Sequence, residues 1–314
     1  MADSDALPAL LRYRQQLWLS HCGQVLESVL LPLAGRGLLH RDRGGDKAAV
    51  LIENRIDNQW LFTVLNTALM CPSGTSLCLI CDRGSLAEAQ TCLQASGAAL
   101  EPYWMVAEEL VPGTWLGDVA SFNRMMKQEP FWAAMPNEKL LFIQTDALLA
   151  EPLPEWFFNF SYLGAPFLPR QQSEYFERRN SQGELCGFFK VDTAIHGSPN
   201  PDVYPHLHGN GGLSIRDRKL MQRICSDSAS TSGPEEMEDV FFSRHLSRHG
   251  QAAPLAVARA FASESTYSAA AIGSHGAWKY FSSAEIAKHL ERHWKQAWAM
   301  AQAIGGNESC DRLN

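Results

Sequence analysis

The chain has 314 residues, 46% of them apolar and 19% charged, with a formal net charge of −7 at pH 7. That length and apolar content support a substantial buried core and exclude a disordered chain. An acidic balance with no Lys/Arg block lacks the clustered positive footprint of a nucleic-acid partner, and no run approaches the roughly 18 apolar residues of a membrane span.

Residues 7 to 34 place Leu10, Leu11, Leu17, Val25, Leu26, Val29 and Leu30 among polar positions, which predicts one or two amphipathic helices packed outside the sheet. Gly35 to Asp46, dense in Gly, Arg and Asp, reads as a loop. Ala48 to Ile52 predicts a short strand with Glu53-Asn54-Arg55 at its carboxyl end, and Asn58 or Asp57 caps a helix from Gln59 to Met70. A second strand, Leu77 to Cys81, ends at Asp82-Arg83-Gly84. A helix over Leu86 to Ala95 and a third strand over Tyr103 to Val106 follow. Residues 114 to 135 are helical and aromatic-rich, with Pro130 interrupting the pattern.

Leu140 to Ile143 is a continuous apolar run, the mark of a strand buried on both faces, and it stops abruptly at Gln144-Thr145-Asp146. Strands alternating with helices predict a parallel, doubly wound sheet. Ligands bind at the carboxyl ends of such strands, which turns Asp146 toward a crevice. A carboxylate in an apolar surround needs a hydrogen bond, a cation or a metal; the plainer alternative is an Asp that caps the next turn.

Beyond residue 150 the pattern changes. Trp156 to Phe160 leads into a strand and a Pro-fixed turn over Tyr162 to Phe167, and residues 170 to 207 read as a long irregular excursion. Then come His208-Gly-Asn-Gly-Gly-Leu-Ser-Ile-Arg216, an acidic loop Glu235 to Asp239 before a helix starting at Val240, Phe261-Ala-Ser-Glu264, Gly273-Ser-His275 and a closing helix over Ser283 to Ala303.

The eight cysteines show no regular framework. Cys78 and Cys81 form a lone C-x-x-C inside an apparent buried strand, which predicts inert thiols rather than zinc. The N-terminus is acidic and has no signal-peptide pattern. A soluble, cytoplasmic protein is the expectation, and Asn159-Phe-Ser and Asn307-Glu-Ser then carry no glycan. The loop after the first strand holds no G-x-G-x-x-G, which disfavours the usual NAD or FAD mode.

Five polar clusters remain. Glu53-Asn54-Arg55 suits a base or ribose, or simply a helix cap. Gly209-Asn210-Gly211-Gly212 allows close backbone approach to a ligand, or makes a tight turn. Glu238-Asp239 is an acidic pair or a first-turn helix charge. His275 is a metal or phosphate contact or a structural loop histidine. Asp146 completes the set.

In their order these clusters resemble the glycosyltransferase GT-A fold, and more closely a poorly characterised GT-A-like family. The segments that carry the resemblance are Leu51-Ile-Glu-Asn-Arg55, Phe131-Trp132, Phe142-Ile-Gln-Thr-Asp146, Leu163-Gly-Ala-Pro166, Gly209-Asn-Gly-Gly-Leu-Ser214, Glu238-Asp-Val-Phe-Phe242 and Gly273-Ser-His275. The resemblance implies a Rossmann-type, mostly parallel twisted sheet flanked by helices. It implies a catalytic domain over 46–282, with a nucleotide-binding half (46–150) and an acceptor half (151–282). Residues 1–45 and 283–314 are then helical extensions.

It further implies transfer of a sugar from a nucleotide-diphosphate donor, a UDP-sugar first among them, to an acceptor hydroxyl, with inversion. Asp146 and His275 would hold Mn²⁺ or Mg²⁺ against the diphosphate. Glu53, Asn54, Arg55, Asp82, Thr145, Asp146, Gly211 and Gly212 would line the donor site, Asp239 would be the general base, and Glu238 would orient the acceptor or structure the loop. One departure stands out. The usual Asp-x-Asp has two acids, whereas Gln144-Thr145-Asp146-Ala147 offers one. The competing readings are a non-catalytic nucleotide- or sugar-binding module on the same fold, favoured by that missing acid, and a nucleotidyltransferase, which usually needs a Gly-rich or basic loop after the first strand.

Overall fold

The computed structural model describes residues 6–166, 175–179, 185–191, 199–200, 209–228, 236–249 and 253–311. Its main sheet is built from β1 (Lys47–Ile52), β2 (Thr75–Cys81), β3 (Tyr103–Val106), β4 (Lys139–Ile143), β5 (Tyr162–Gly164) and β6 (Leu213–Asp217). The spatial order is β3-β2-β1-β4-β6-β5. β1 runs parallel to β2 and β4, and β2 parallel to β3, whereas β6 runs antiparallel to β4 and β5. The fold is therefore mixed α/β around a mostly parallel sheet, as expected, with one reversed strand. A parallel crossover needs a long connection, usually a helix. β5 runs parallel to β4 on the far side of β6, and the connection between them carries the short strand Ala147–Leu149 and a 3₁₀ turn, Glu155–Asn159, in place of a long helix. Reversal of β6 places its amino end at the same sheet edge as the carboxyl ends of β1, β2 and β4.

Helices α1 (Ala6–Val25), α2 (Asn58–Met70), α3 (Leu86–Ala95), α4 (Val119–Met126), α5 (Glu129–Ala134), α6 (Arg218–Ser228), α7 (Glu238–His249) and α8 (Ser283–Asp311) cover the two faces. The apolar runs are continuous because each face has its own core. Ala48 and Val50 of β1 join Leu140, Phe142, Phe131, Trp132, Phe241 and Phe242 on one side. Ala49 and Leu51 join Trp18, Trp60, Phe62, Leu141 and Leu213 on the other. Each such large apolar side chain contributes about 1.5–3 kcal/mol on burial. Cys78 and Cys81 fall on opposite faces of β2, and burial pushes both thiols up to about 12, so the C-x-x-C has neither the geometry nor the thiolate for metal binding.

Helix α2 is fixed at both ends. The Asp57 carboxylate accepts from the Trp60 N–H at 2.9 Å. At the other end the Arg41 guanidinium donates to the carbonyls of Ala68, Cys71 and Pro72 at 2.5–2.6 Å. The terminal helices share the sheet's core: Trp18, Cys22 and Val25 of α1 and Ile286, Leu290 and Ala297 of α8 are buried within it. They are further joined by a polar chain in which His21 Nε2 meets His293 Nδ1 at 2.8 Å and His293 Nε2 meets Asn66 Oδ1 at 2.9 Å.

The 170–207 excursion, expected to be irregular, contains a separate antiparallel sheet of Tyr175–Arg179, Leu185–Val191 and Pro199–Asn200. The rest of this stretch lies outside the described residues. A third small sheet matters more. Gly273–His275 pairs antiparallel with Ala147–Leu149 and parallel with Ala262–Ser263, setting His275 opposite Ala147. Among the described residues no helix is long and apolar enough to cross a membrane.

Candidate functional site

The polar clusters gather at one edge of the sheet. At the end of β1 the Glu53 carboxylate accepts from the backbone of Asn54 and Arg55 and from the Arg55 guanidinium at 2.7 and 3.0 Å. Burial alone would raise this carboxyl, but Arg55 and the two amides hold it below its ordinary value. Asn54 donates to Asp82 at the end of β2 (3.0 Å), whose other oxygen accepts from the Leu116 N–H. Thr145 spans from β4 to β1, its hydroxyl donating to Glu53 at 3.2 Å and its carbonyl accepting from Gln59 at 2.8 Å. Asp82 is buried, with both oxygens engaged, so it braces this rim; Arg55 projects from it, its side chain 74% exposed.

Next along β4, Asp146 meets residues from the end of the chain. Its Oδ1 lies 3.1 Å from His275 Nε2 and its Oδ2 accepts from Lys279 Nζ at 2.6 Å. His275 Nδ1 faces Glu264 Oε1 at 3.3 Å, and the same Glu264 oxygen accepts from Asn210 Nδ2 at 2.6 Å. Burial opposes charge on both members of the Asp146–His275 pair. Their mutual attraction outweighs it, assisted by Lys279 and Glu264, holding the carboxyl well below the usual range and the imidazole at about 9. The three-residue strand pairing explains the encounter: with His275 opposite Ala147, the turn at Gly276, whose N–H donates to the Asp146 carbonyl at 2.9 Å, carries Lys279 back over the carboxylate.

The glycine loop joins this cluster to the second acidic site. Gly211 donates its N–H to Asp239 Oδ2 at 3.3 Å, and Gly212 donates to Asn210 Oδ1 at 2.8 Å. Neither glycine tolerates a side chain. A Cβ on Gly211 would stand 2.0 Å from Glu238 Oε1, and one on Gly212 would stand 2.3 Å from His275 Cδ2. Asp239 opens the first turn of α7 and is partly exposed. Burial, followed by the charge of Glu238, pushes its carboxyl up to about 6. Glu238 points the other way. It is buried and grips Arg216 of β6 through two bonds of 2.6 and 3.0 Å. That guanidinium lies 5.0–5.9 Å from the ring centres of Phe142, Tyr162, Phe242 and Trp132.

Asp146, His275, Gly211, Gly212 and Asp239 thus converge, with the Glu53–Asp82–Thr145 group adjoining them through β4. Glu238, expected to orient the acceptor or structure the loop, grips Arg216 beneath the loop. The metal expected on Asp146 and His275 does not fit this donor set. Both Asp146 oxygens are already paired with basic groups, which compensates the charge an ion would neutralise, and His275, held protonated between two carboxylates, has no free lone pair for coordination. Among the described residues no group of three or more His, Cys, Asp or Glu side chains stands so as to hold an ion. Lys279, Glu264 and Arg216 were not among the expected site residues. The lone acid of Gln144-Thr145-Asp146 was the available signal for Lys279, since an acid without a second acid and a metal calls for a cation nearby.

These observations define an α/β protein with a charge-paired cluster at the carboxyl edge of a mostly parallel sheet. The chain belongs to the family described as "Protein of unknown function (DUF5672)", whose model matches residues 106–276, more than half of it. That segment contains the motifs from Phe131-Trp132 to Gly273-Ser-His275 and leaves out Leu51 to Arg55. Comparison with curated proteins gives no match. Similar solved structures include the apo-form glycosyltransferase GlyE of Streptococcus pneumoniae TIGR4, at TM-score 0.42 and 10% identity, over 84% of this chain and 64% of that one. The mannosyltransferase PcManGT of Pyrobaculum calidifontis, in complex with GDP-Man and Mn²⁺, is similar at TM-score 0.39 and 12% identity, over 93% and 76%. The 4-diphosphocytidyl-2C-methyl-D-erythritol synthase of Anaerococcus prevotii DSM 20548 is similar at TM-score 0.37 and 10% identity, over 66% and 85%.

Proposed function

We propose that the chain is a glycosyltransferase that moves a sugar from a nucleotide-diphosphate donor to an acceptor hydroxyl, with inversion. The observation that carries this reading is the Gly211–Gly212 step. One glycine donates to Asp239 and the next lies against His275, so a weakly basic carboxylate and a charge-paired cluster flank the same stretch of bare backbone. Asp239, held at about 6, is ionised at neutral pH yet basic enough to take a proton from an acceptor hydroxyl. Glu238 positions it by anchoring the first turn of α7 to Arg216. Glu53, Asn54, Arg55, Asp82 and Thr145 form the rim that would meet the base and ribose, and Asp146 and His275 sit where the diphosphate would lie. A UDP-sugar is the first donor to try.

The test is a hydrolysis and transfer assay across UDP-, GDP- and CMP-sugars, with and without Mn²⁺. Turnover that is lost in Asp239→Ala supports the reading, and turnover unchanged in that variant removes the assigned base. The single, charge-paired acid at Asp146 favours one other reading, a nucleotide- or sugar-binding module without turnover. Tight nucleotide binding with no product from any donor would select it.

A further inference from the structure

We propose that the positive charge facing the donor diphosphate is the ammonium of Lys279, seated on Asp146 beside His275 in the place a divalent ion would take; this rests on the donor reading above. Four features of the molecule lead there. First, Asp146 is already compensated, with Lys279 on one oxygen at 2.6 Å and His275 on the other at 3.1 Å. Second, the cluster of Asp146, Glu264, His275 and Lys279 pairs two acids with two basic groups, whereas a metal cage gathers acids in excess.

Third, Lys279 is placed by its backbone. Gly276 takes φ +57°, a conformation that suits glycine, and donates to the Asp146 carbonyl; Lys279 N donates back to the Gly276 carbonyl at 2.8 Å. The short helix Ala277–Tyr280 then carries the ammonium over the acid, 5.2 Å from the Trp278 ring centre. Fourth, Lys279 is accessible, its side chain 39% exposed, and an ammonium has three N–H donors where Asp146 needs one.

A nucleoside diphosphate entering at the Asp146 rim meets this cation directly. In the transfer step the bond between the anomeric carbon and the diphosphate oxygen breaks, and its electron pair leaves with the diphosphate. The acceptor oxygen bonds to that carbon and its proton passes to Asp239. Lys279 stands where the departing diphosphate gains charge, which is where a fixed cation helps most.

Calorimetric titration of UDP, GDP, ADP, CDP and dTDP into the full chain, once in EDTA and once in excess Mn²⁺, tests the assignment without relying on turnover. The expected result is that at least one nucleotide binds with the same Kd in both buffers. Lys279→Ala should weaken that binding about 10- to 100-fold in EDTA, the range of a charged hydrogen bond, and Lys279→Arg should largely retain it. The Arg variant also separates loss of the cation from loss of fold. Wild-type binding that appears only with Mn²⁺, or wild-type affinity in Lys279→Ala, overturns the assignment and leaves the donor reading standing. Absence of binding by every nucleotide in both buffers overturns both.

Discussion

Gly211 hands its N–H to Asp239 Oδ2 at 3.3 Å, while the next residue, Gly212, packs so tightly on His275 that a Cβ would sit 2.4 Å from the ring Nε2. One backbone step therefore sets the spacing between the proposed base and the proposed diphosphate cluster. Gly212→Ala should push His275 off Asp146 or bend the loop. Overpacking of this kind costs about 1–3 kcal/mol, and nucleotide affinity should fall with it. Differential scanning fluorimetry and nucleotide titration check both; an unchanged melting point together with wild-type affinity would show that the loop has slack.

The pH dependence of kcat/KM should report Asp239. Its carboxyl is raised to about 6 by burial and by Glu238, and only the ionised form accepts a proton. Activity should therefore climb through about pH 6 and level off above it. Asp239→Asn should cut the rate by ~10²–10⁴ and abolish that limb. A wild-type profile that stays flat well below pH 6 would argue against this residue as the base.

The Arg216–Glu238 pair supports the loop from beneath, and both partners are buried. Glu238→Leu alone strands a guanidinium among aromatic rings and should cost about 3–5 kcal/mol. The double variant Arg216→Met with Glu238→Leu should recover most of that loss, since no buried charge is left behind. Urea melts of the single and double variants measure the difference.

The polar chain between α1 and α8 should make the terminal helices acid-sensitive. Burial lowers His21 to about 4 and, with Arg292, His289 to about 3; His293 is also depressed, by burial and then by its neighbouring histidines. All three are neutral when folded and gain protons more readily when unfolded. Their stabilisation is therefore complete above about pH 6.5 and is lost as pH falls, through about 4 for His21 and about 3 for His289, with His21 alone worth about 3 kcal/mol. Trp294, which stacks on Trp298 and stands 6.4 Å from the His21 ring, offers a fluorescence probe of that release. Thermal melts at neutral and acidic pH give the magnitude.

The strands buried on both faces, Thr75–Cys81 and Lys139–Ile143, were legible because burial on both sides writes an unbroken apolar run; the half-buried edge strand Tyr103–Val106 and the helix Leu86–Ala95 have the bounds their patterns predict. β6 was harder. Leu-Ser-Ile-Arg-Asp marks a strand, but its direction depends on the long connection from β5, and its buried Arg216 looks like a surface residue until Glu238 is opposite. Tyr175–Arg179 was missed because Tyr-Phe-Glu-Arg-Arg shows no alternation of apolar and polar positions. In the site, Asp146 and His275 were legible as chemistry, but their partners were not. The encounter of Lys279 and Glu264 with them rests on strands of two and three residues, too short to leave any periodicity.

Strand β4 draws one neighbour, β6, from within residues 106–276 and the other, β1, from outside, with pairing from Lys47↔Lys139 to Val50↔Phe142. A fragment trimmed to the family segment would bare that flank as a naked apolar ribbon in search of hydrogen bonds, and would also lose the Glu53 anchor for Thr145. Such a truncation should clump through edge-to-edge association rather than report on catalysis, so the smallest piece worth expressing must reach back through β1.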